Sequence, residues 1–331
     1  MEAVLPSDEG VRTEQPAALR PLIEGRFIEQ RFVVEGECDG WRLDRFLQKK
    51  IRRLSRNRIQ RVIRGDCEVN GRKAKPAMLV FAGQEVRFRR PALAEPEVPR
   101  GIRVLYEDEH LYALDKPAGL PIHPTARYHH STLTAVLRER FPGQQLHVAH
   151  RLDRETSGLL LVARSAAAAA ALKGAFARRR VEKRYLAIVH GVVESPQLLL
   201  DHPIGPAQGR VRVRMAVRDD GLPARTEVRT LRRLSAYTLV ECRPLTGRQH
   251  QIRVHLAAIG HPVVGDKLYP DEEIFIAWAN GGDEAIAGRL PLARHALHAA
   301  GLRFPHPASG EMMELDCPLP PDLVDFLACA T

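Results

Sequence analysis

Apolar positions are densest in two short runs on either side of a polar segment. Leu146-His147-Val148-Ala149 comes before it and Leu159-Leu160-Leu161-Val162-Ala163 after it. Such runs predict buried strands. The segment between them, residues 150–158, reads His-Arg-Leu-Asp-Arg-Glu-Thr-Ser-Gly and is expected to be a loop joining two core elements. Upstream, Leu43, Phe46, Leu47 and Ile51 fall at helical spacing. A second helix is expected from Ser55, with Ile59, Val62 and Ile63 on one face and Gly65 as its stop. Residues 67–71 then read as a strand and turn, and Val86 and Phe88 as a closing strand. Downstream, Ser165 caps an alanine-rich helix running toward Arg178-Arg179-Arg180. Strands are predicted over 185–193, 226–234, 237–242 and 296–304, and helices over 249–259 and 323–328. Gly and Pro in 205–223 and 270–294 predict loops or insertions. The expected organisation is a disordered tail over 1–30, a small α+β domain over 31–90, a Pro-rich linker over 91–101 and a larger domain over 102–331. The larger domain is expected to hold a mixed, largely antiparallel sheet with flanking helices, making the chain α+β.

Charge sharpens this division. The formal net charge is +10, and residues 41–90 alone hold 16 Lys or Arg against 4 Asp or Glu. That module carries +12 and the remainder −2. Its polar side presents Arg52, Arg53, Arg56, Arg58, Arg61, Arg64, Lys73 and Lys75. A polyanion is the expected partner. The cysteines are five, scattered and without a C-x-x-C pair, which suits a reducing compartment and points away from a disulfide framework or zinc cluster. The first residues lack the apolar core of a signal peptide, and no apolar run approaches spanning length, so a cytoplasmic location is expected. There is no phosphate loop, dinucleotide fingerprint or H-E-x-x-H, so neither cofactor nor metal is expected. His150, His250 and His255 match no common zinc spacing. Nothing in the chain calls for an oligomer.

Within 150–158, Asp153 lies among two arginines, a histidine and two hydroxyls. Cations keep such a carboxylate ionised, and rigid flanking strands hold it still. On chemistry alone the loop reads either as a catalytic carboxylate or as a charged turn with an internal salt bridge.

The string resembles the motif of the RluA-type pseudouridine synthases, in which Asp is followed by a variable pair and then Thr-Ser-Gly. The resemblance continues in order through Asp115-Lys116-Pro117-Ala118-Gly119-Leu120 with His123-Pro124, Lys183-Arg184-Tyr185, residues 247–253 (Gly-Arg-Gln-His-Gln-Ile-Arg), Leu297-His298-Ala299 and Phe304-Pro305-His306-Pro307. Gln249 stands where the family usually has Thr, and His295 where Gln is common. The resemblance implies the pseudouridine synthase fold and an isomerase acting on RNA without a cofactor. It makes Asp153 the carboxylate at the sugar, Arg253 its cation, and Tyr185 the ring that stacks on uracil near C5. It places Arg151 against the RNA beside an extruded nucleotide, and Lys116, His123, Arg248 and His250 on the RNA side of the site; Arg154 reads as a phosphate contact or a surface charge. Residues 41–90 resemble an S-four-like RNA-binding domain through Arg42-Leu43-Asp44, Ser55-Arg56, Ile59-Gln60 and Val69-Asn70-Gly71. That implies a basic face for structured RNA. Large-subunit ribosomal RNA is the expected substrate, with transfer RNA the alternative, and a non-catalytic RNA-binding protein is the competing class.

Overall fold

The long apolar run becomes a strand buried on both sides. In the computed structural model, which describes residues 22–330 apart from 52–54, 94, 126–127 and 129, all seven residues of Ser157–Ala163 are buried. Successive side chains alternate between two cores. Leu159, Leu161 and Ala163 pack with Ala168, Ala169 and Leu172, whereas Leu160 and Val162 pack with Leu133, Val136 and Leu137. A strand covered by a helix on each face needs no polar side, which explains the unbroken run. Each fully buried Leu contributes about 1.5–3 kcal/mol relative to exposure.

The chain divides into two compact units between residues 94 and 95. In the smaller, the elements are β1 (Leu22–Val33), β2 (Trp41–Arg42), α1 (Leu43–Lys50), α2 (Arg56–Asp66), β3 (Cys67–Val69), β4 (Arg72–Lys73), β5 (Leu79–Val80) and β6 (Glu85–Leu93). Four strands form a sheet in the order β1-β6-β3-β4, and β2 pairs with β5. Leu43, Phe46, Leu47, Ile59 and Ile63 form its core with Val69, Val86 and Phe88. Two sequence expectations are corrected here. The tail does not reach residue 30, because β1 begins at Leu22, and the linker does not begin at 91, because β6 runs to Leu93. The apolar residues of β1 come in adjacent pairs, Leu22-Ile23, Phe27-Ile28 and Phe32-Val33, and not in the alternation that marks a strand. Glu29 lies opposite Arg89 and pairs with both Arg89 and Arg87, and Arg31 pairs with Glu85, so charge pairs hold part of this edge. The remainder of the expected tail, like Arg52 and Arg53, lies outside the described residues.

The larger unit contains β7 (Arg103–Glu107), β8 (Leu111–Lys116), α3 (Leu133–Arg140), β9 (His147–Val148), β10 (Ser157–Ala163), α4 (Ala166–Ala177), β11 (Glu182–His190), β12 (Gln197–Asp201), β13 (Ile204–Pro206) and β14 (Met215–Val217). It continues with β15 (Arg225–Arg233), β16 (Tyr237–Pro244), α5 (Gln251–Ala258), α6 (Glu272–Gly281), β17 (Leu297–Pro305), β18 (Met312–Asp316) and α7 (Pro321–Cys329). Its main sheet runs β12-β15-β16-β11-β17-β10-β8-β7, with β18 added to β17 and β9 to β10. Among the described residues only β10 and β17 of this sheet pair in parallel; the other pairings are antiparallel. The two segments expected as loops contain structure. Residues 205–223 include the β13–β14 pair, and 270–294 include α6, capped by Asp271, whose carboxylate accepts from the Glu273 amide at 2.9 Å. Flanking glycines and prolines masked both. Among the described residues no helix is long and apolar enough to cross a membrane.

Candidate active site

The loop between β9 and β10 is fixed before its charges are considered. Leu152 anchors it in the core. The Thr156 amide donates to Asp153 O at 3.1 Å, and the Gly119 amide to Arg154 O at 2.8 Å. The Thr156 hydroxyl meets His295 Nε2 at 2.7 Å, and the Ser157 hydroxyl meets His298 Nδ1 at 2.9 Å. His298 Nε2 lies 3.1 Å from Cys317 O, so it carries the proton and Ser157 donates to Nδ1. Gly158 has φ +107, and a Cβ there would fall 2.3 Å from Ala299 O. The Thr-Ser-Gly string is therefore what seats the loop on β17, a role that residue type alone does not reveal.

Asp153 faces α5. Arg253 Nη1 donates to its Oδ2 at 2.8 Å, and His250 Nε2 lies 3.9 Å from Oδ1. The Asp153 side chain keeps 30% exposure, so it has an open side. Burial works to raise its pKa, but His250, Arg253 and His295 outweigh that and hold the carboxyl well below the usual range. Burial pushes His295 down to about 3, so it is neutral at pH 7 and Arg253 is the permanent cation.

Arg253 is locked in turn. Its Nε and Nη2 donate to Oδ2 and Oδ1 of the fully buried Asp266 at 2.6 and 2.8 Å. Asp266 also accepts from the Leu268 amide at 2.8 Å, and its pKa is lowered to about 2 because Arg253 overcomes burial. Gly265, at φ +74, permits this turn: a Cβ there would lie 2.1 Å from Arg294 O. The Tyr269 ring lies 5.0 Å from the Arg253 guanidinium, and its hydroxyl meets His250 Nδ1 at 2.7 Å. Asp266 and Tyr269 escaped the sequence reading. A lone carboxylate inside the Val263-Val264-Gly265 to Leu268 stretch was the available signal.

Tyr185 stands on β11, opposite Cys242 and Ala299, where the pairing with β17 is interrupted after Arg184. Such a bulge re-aims a side chain. Its ring packs against two of the unit's cores and is half-buried. Burial, then the Asp153 charge, raises the phenol pKa well above the usual value, so Tyr185 is neutral at pH 7.

A fixed anionic carboxylate, an anchored cation and a neutral phenol thus come together from three elements. Relatives resolve what this set belongs to. An RNA pseudouridylate synthase family model matches residues 110–258. The ribosomal large subunit pseudouridine synthase D of Xanthomonas campestris pv. campestris is 38% identical, over 88% of this chain and 89% of that protein. The chain belongs to the RluA-type pseudouridine synthase family. It is an isomerase that converts uridine in RNA to pseudouridine. The ribosomal large subunit pseudouridine synthase C of Escherichia coli is 34% identical, over 85% of this chain and 90% of that one. The solved structure of human RNA pseudouridylate synthase domain containing 1 is 32% identical, covers 70% of this chain and 89% of its own, and superposes with a TM-score of 0.55.

Other residues that the family motifs singled out are distributed differently. Lys116 is fully buried and donates to Pro117 O, Leu120 O and Arg154 O at 2.8–3.0 Å, so it has no proton left for RNA. Arg154 is likewise committed: it pairs with Glu155 at 2.7 Å, donates to the Tyr128 hydroxyl at 2.9 Å and stacks on Trp278 at 4.9 Å. Both hold the synthase loop in place. Arg248 donates from Nε to Pro223 O at 3.0 Å. Arg151 and His123 are exposed, and Arg151 has no hydrogen bond or ion pair from its side chain among the described residues. His150 and His255 have their own partners, the Leu161 amide and the Thr226 hydroxyl. Gln251 satisfies its whole amide, receiving from Thr246 and the Arg248 amide and donating to Arg225 O and Thr226, which sets the start of α5. Gln249 is exposed, whereas His295 is buried against Thr156. In the smaller unit, Arg58, Arg61 and Lys73 are exposed, and Arg56 reaches Asp44 at 3.3 Å.

Proposed function

We propose that this synthase modifies uridine in large-subunit ribosomal RNA, with Asp153 as the reacting carboxylate. The observation that carries the reading is the Asp153–Arg253–Asp266 chain. One carboxylate keeps an open side, while its cation is fixed from behind by a second carboxylate. The bond between uracil N1 and the ribose breaks, the base turns and rejoins through C5, and the C5 proton leaves. Asp153 serves the sugar in one of two ways. It adds to the anomeric carbon, or it takes the proton from the neighbouring carbon to give a glycal. Either route needs the anion that Arg253 preserves. Tyr185 offers a flat face for uracil, and its neutral hydroxyl relays the C5 proton, accepting it while giving its own to solvent. The exposed cations of the smaller unit supply electrostatic affinity, in keeping with an S-four-like domain. Relatives named for the ribosomal large subunit span nearly the whole chain, which supports that substrate over transfer RNA.

The test is pseudouridine mapping of total RNA from cells with and without this gene. Loss of one or more sites in large-subunit ribosomal RNA is expected. Losses confined to transfer RNA would overturn the substrate assignment.

A further inference from the structure

The C-terminal end of α4 and the strand after it carry a cluster of cations, four of which form no ion pair within the protein among the described residues. Between residues 173 and 184 lie Lys173, Arg178, Arg179, Arg180, Lys183 and Arg184, against one acid, Glu182. Elsewhere in this unit most arginines are committed, Arg103 to Asp115, Arg218 to Asp220, Arg225 to Asp201 and Arg294 to Asp322 among them. Lys173, Arg178, Arg179 and Arg180 are exposed and form no ion pair or side-chain hydrogen bond among the described residues.

The backbone there is unusual for these residues. The Arg179 amide donates to Phe176 O at 3.1 Å and the Arg180 amide to Ala175 O at 2.9 Å. This pair of bonds closes a helix with its next residue in the left-handed region, a place that strongly favours glycine. Arg179 occupies it at φ 58. An arginine held in a strained position without a protein partner suggests another use. Cations do suit the negative end of a helix, but one would serve, and the cluster extends beyond the last turn.

The cluster adjoins the reacting loop. Phe176 of α4 packs against His150 in a tilted ring contact with centroids 4.6 Å apart, so the helix end lies beside the start of 150–158 and the exposed Arg151. On its other side, Lys183 donates to Thr246 O at 2.7 Å, which ties the strand after the cluster to the loop entering α5. Like charges gather here: Arg151 and Lys173 both act on His123, and Arg179 acts on Lys183, each lowering the neighbour's pKa after burial.

We infer that Arg178, Arg179 and Arg180, with Lys173 and Arg151, form a phosphate-binding face for the RNA strand that leads to Asp153. This rests on the proposed function and adds to it a second electrostatic contact, built into a unit whose overall charge is close to neutral.

The test uses full-length protein and a uridine-containing stem-loop RNA, with binding measured across a salt series. Arg179→Gly is the first variant, because glycine is the residue that turn favours; it keeps or raises Tm. A purely structural Arg179 would leave RNA affinity untouched, whereas the phosphate face predicts weaker binding and a salt slope shallower by about 0.7. The triple change Arg178→Ala, Arg179→Gly, Arg180→Ala is expected to weaken binding at least about tenfold and to flatten the slope by about 2. Arg232→Ala, which removes an exposed cation from β15, serves as the control for net charge. An active enzyme whose triple variant keeps the wild-type slope, or a control that flattens it equally per charge, overturns the face. Wild-type protein that converts no uridine in any RNA overturns the proposed function instead.

Discussion

Asp44 in the smaller unit and Asp153 in the larger are both carboxylates held well below the usual range by arginine. Asp44 is fully buried and saturated. Arg42 bonds it at 3.2 and 3.0 Å, Gln60 at 2.8 Å and Arg56 at 3.3 Å, so it joins the start of α1 to α2. Its arginines are 45% and 59% exposed, and among the described residues no second carboxylate holds them from behind. Asp153 reverses the arrangement. The carboxylate is the partly open group, and its arginine is buried at 8% exposure and clamped by Asp266. A depressed pKa is thus common to a structural tie and to a reactive site. What separates them is which partner is saturated. At Asp44 all the bonding capacity serves the fold, whereas at Asp153 the fold's capacity is spent on holding the cation, leaving the anion available.

Removing the clamped cation gives the largest expected effect. Arg253→Ala leaves Asp266 buried without its cation and Asp153 without its partner, at a cost of about 3–5 kcal/mol. For a unit of this size that lowers Tm by roughly 10 °C, at about 2–4 °C per kcal/mol. Turnover should fall with it, even at temperatures where the variant is folded. Differential scanning calorimetry with single-turnover assays would check both. A variant as stable as wild type would show that the buried pair is not the anchor.

Tyr185→Phe comes next. It keeps the stacking ring and loses the hydroxyl, so pseudouridine formation should slow by about 100-fold or more while RNA affinity holds within about threefold. Rapid quenching of enzyme mixed with saturating RNA measures the first and anisotropy the second. Near-normal rates would remove the hydroxyl from the proton transfer.

Asp44→Asn sharpens the contrast from the other side. Because its arginines are largely solvated, the loss should be only about 1–2 kcal/mol, seen in urea unfolding. The rate at saturating RNA should be unaffected below the melting point. A rate loss of the kind predicted at the site would erase the distinction between the two aspartates.

Acid provides the smallest and most graded comparison. His150 and His295 are held neutral by burial, each down to about 3. Unfolded histidine takes up protons below about pH 6.5 and these folded ones do not, so stability falls as pH drops below that value. A second decline follows below about pH 4, where unfolded carboxyls protonate before Asp44, Asp153 and Asp266 do, and for Asp266 it is complete near pH 2. His295→Gln should make the first decline shallower. Melting curves across the pH series would show it, and an unaltered first decline would contradict a neutral His295.

Much of this was legible in the chain because burial leaves a mark. Leu159–Ala163 reads as a strand covered on both faces, and Ser165 reads as the cap it is, accepting from the Ala168 amide at 3.1 Å. Arg253 was legible only through its family motif, since nothing local links it to a carboxylate a hundred residues away. Asp266 was not legible, because its partner is reached through a turn that only Gly265 permits. β1 was missed because ion pairs, and no apolar alternation, mark Glu29 and Arg31. Lys116 and Arg154 show the converse: a cation beside a motif reads as available to phosphate, yet Lys116 donates to three carbonyls and Arg154 pairs with Glu155 beside Trp278.

The most direct test of the central claim is single-turnover pseudouridine formation by pure Asp153→Asn protein, with RNA affinity measured in the same buffer. Asparagine keeps the shape and removes the open anion. No product above background is expected, with a Kd within about threefold of wild type, since the electrostatic contacts to phosphate lie elsewhere. Product formed at a rate within about tenfold of wild type, a difference of only 1.4 kcal/mol in barrier, would contradict it.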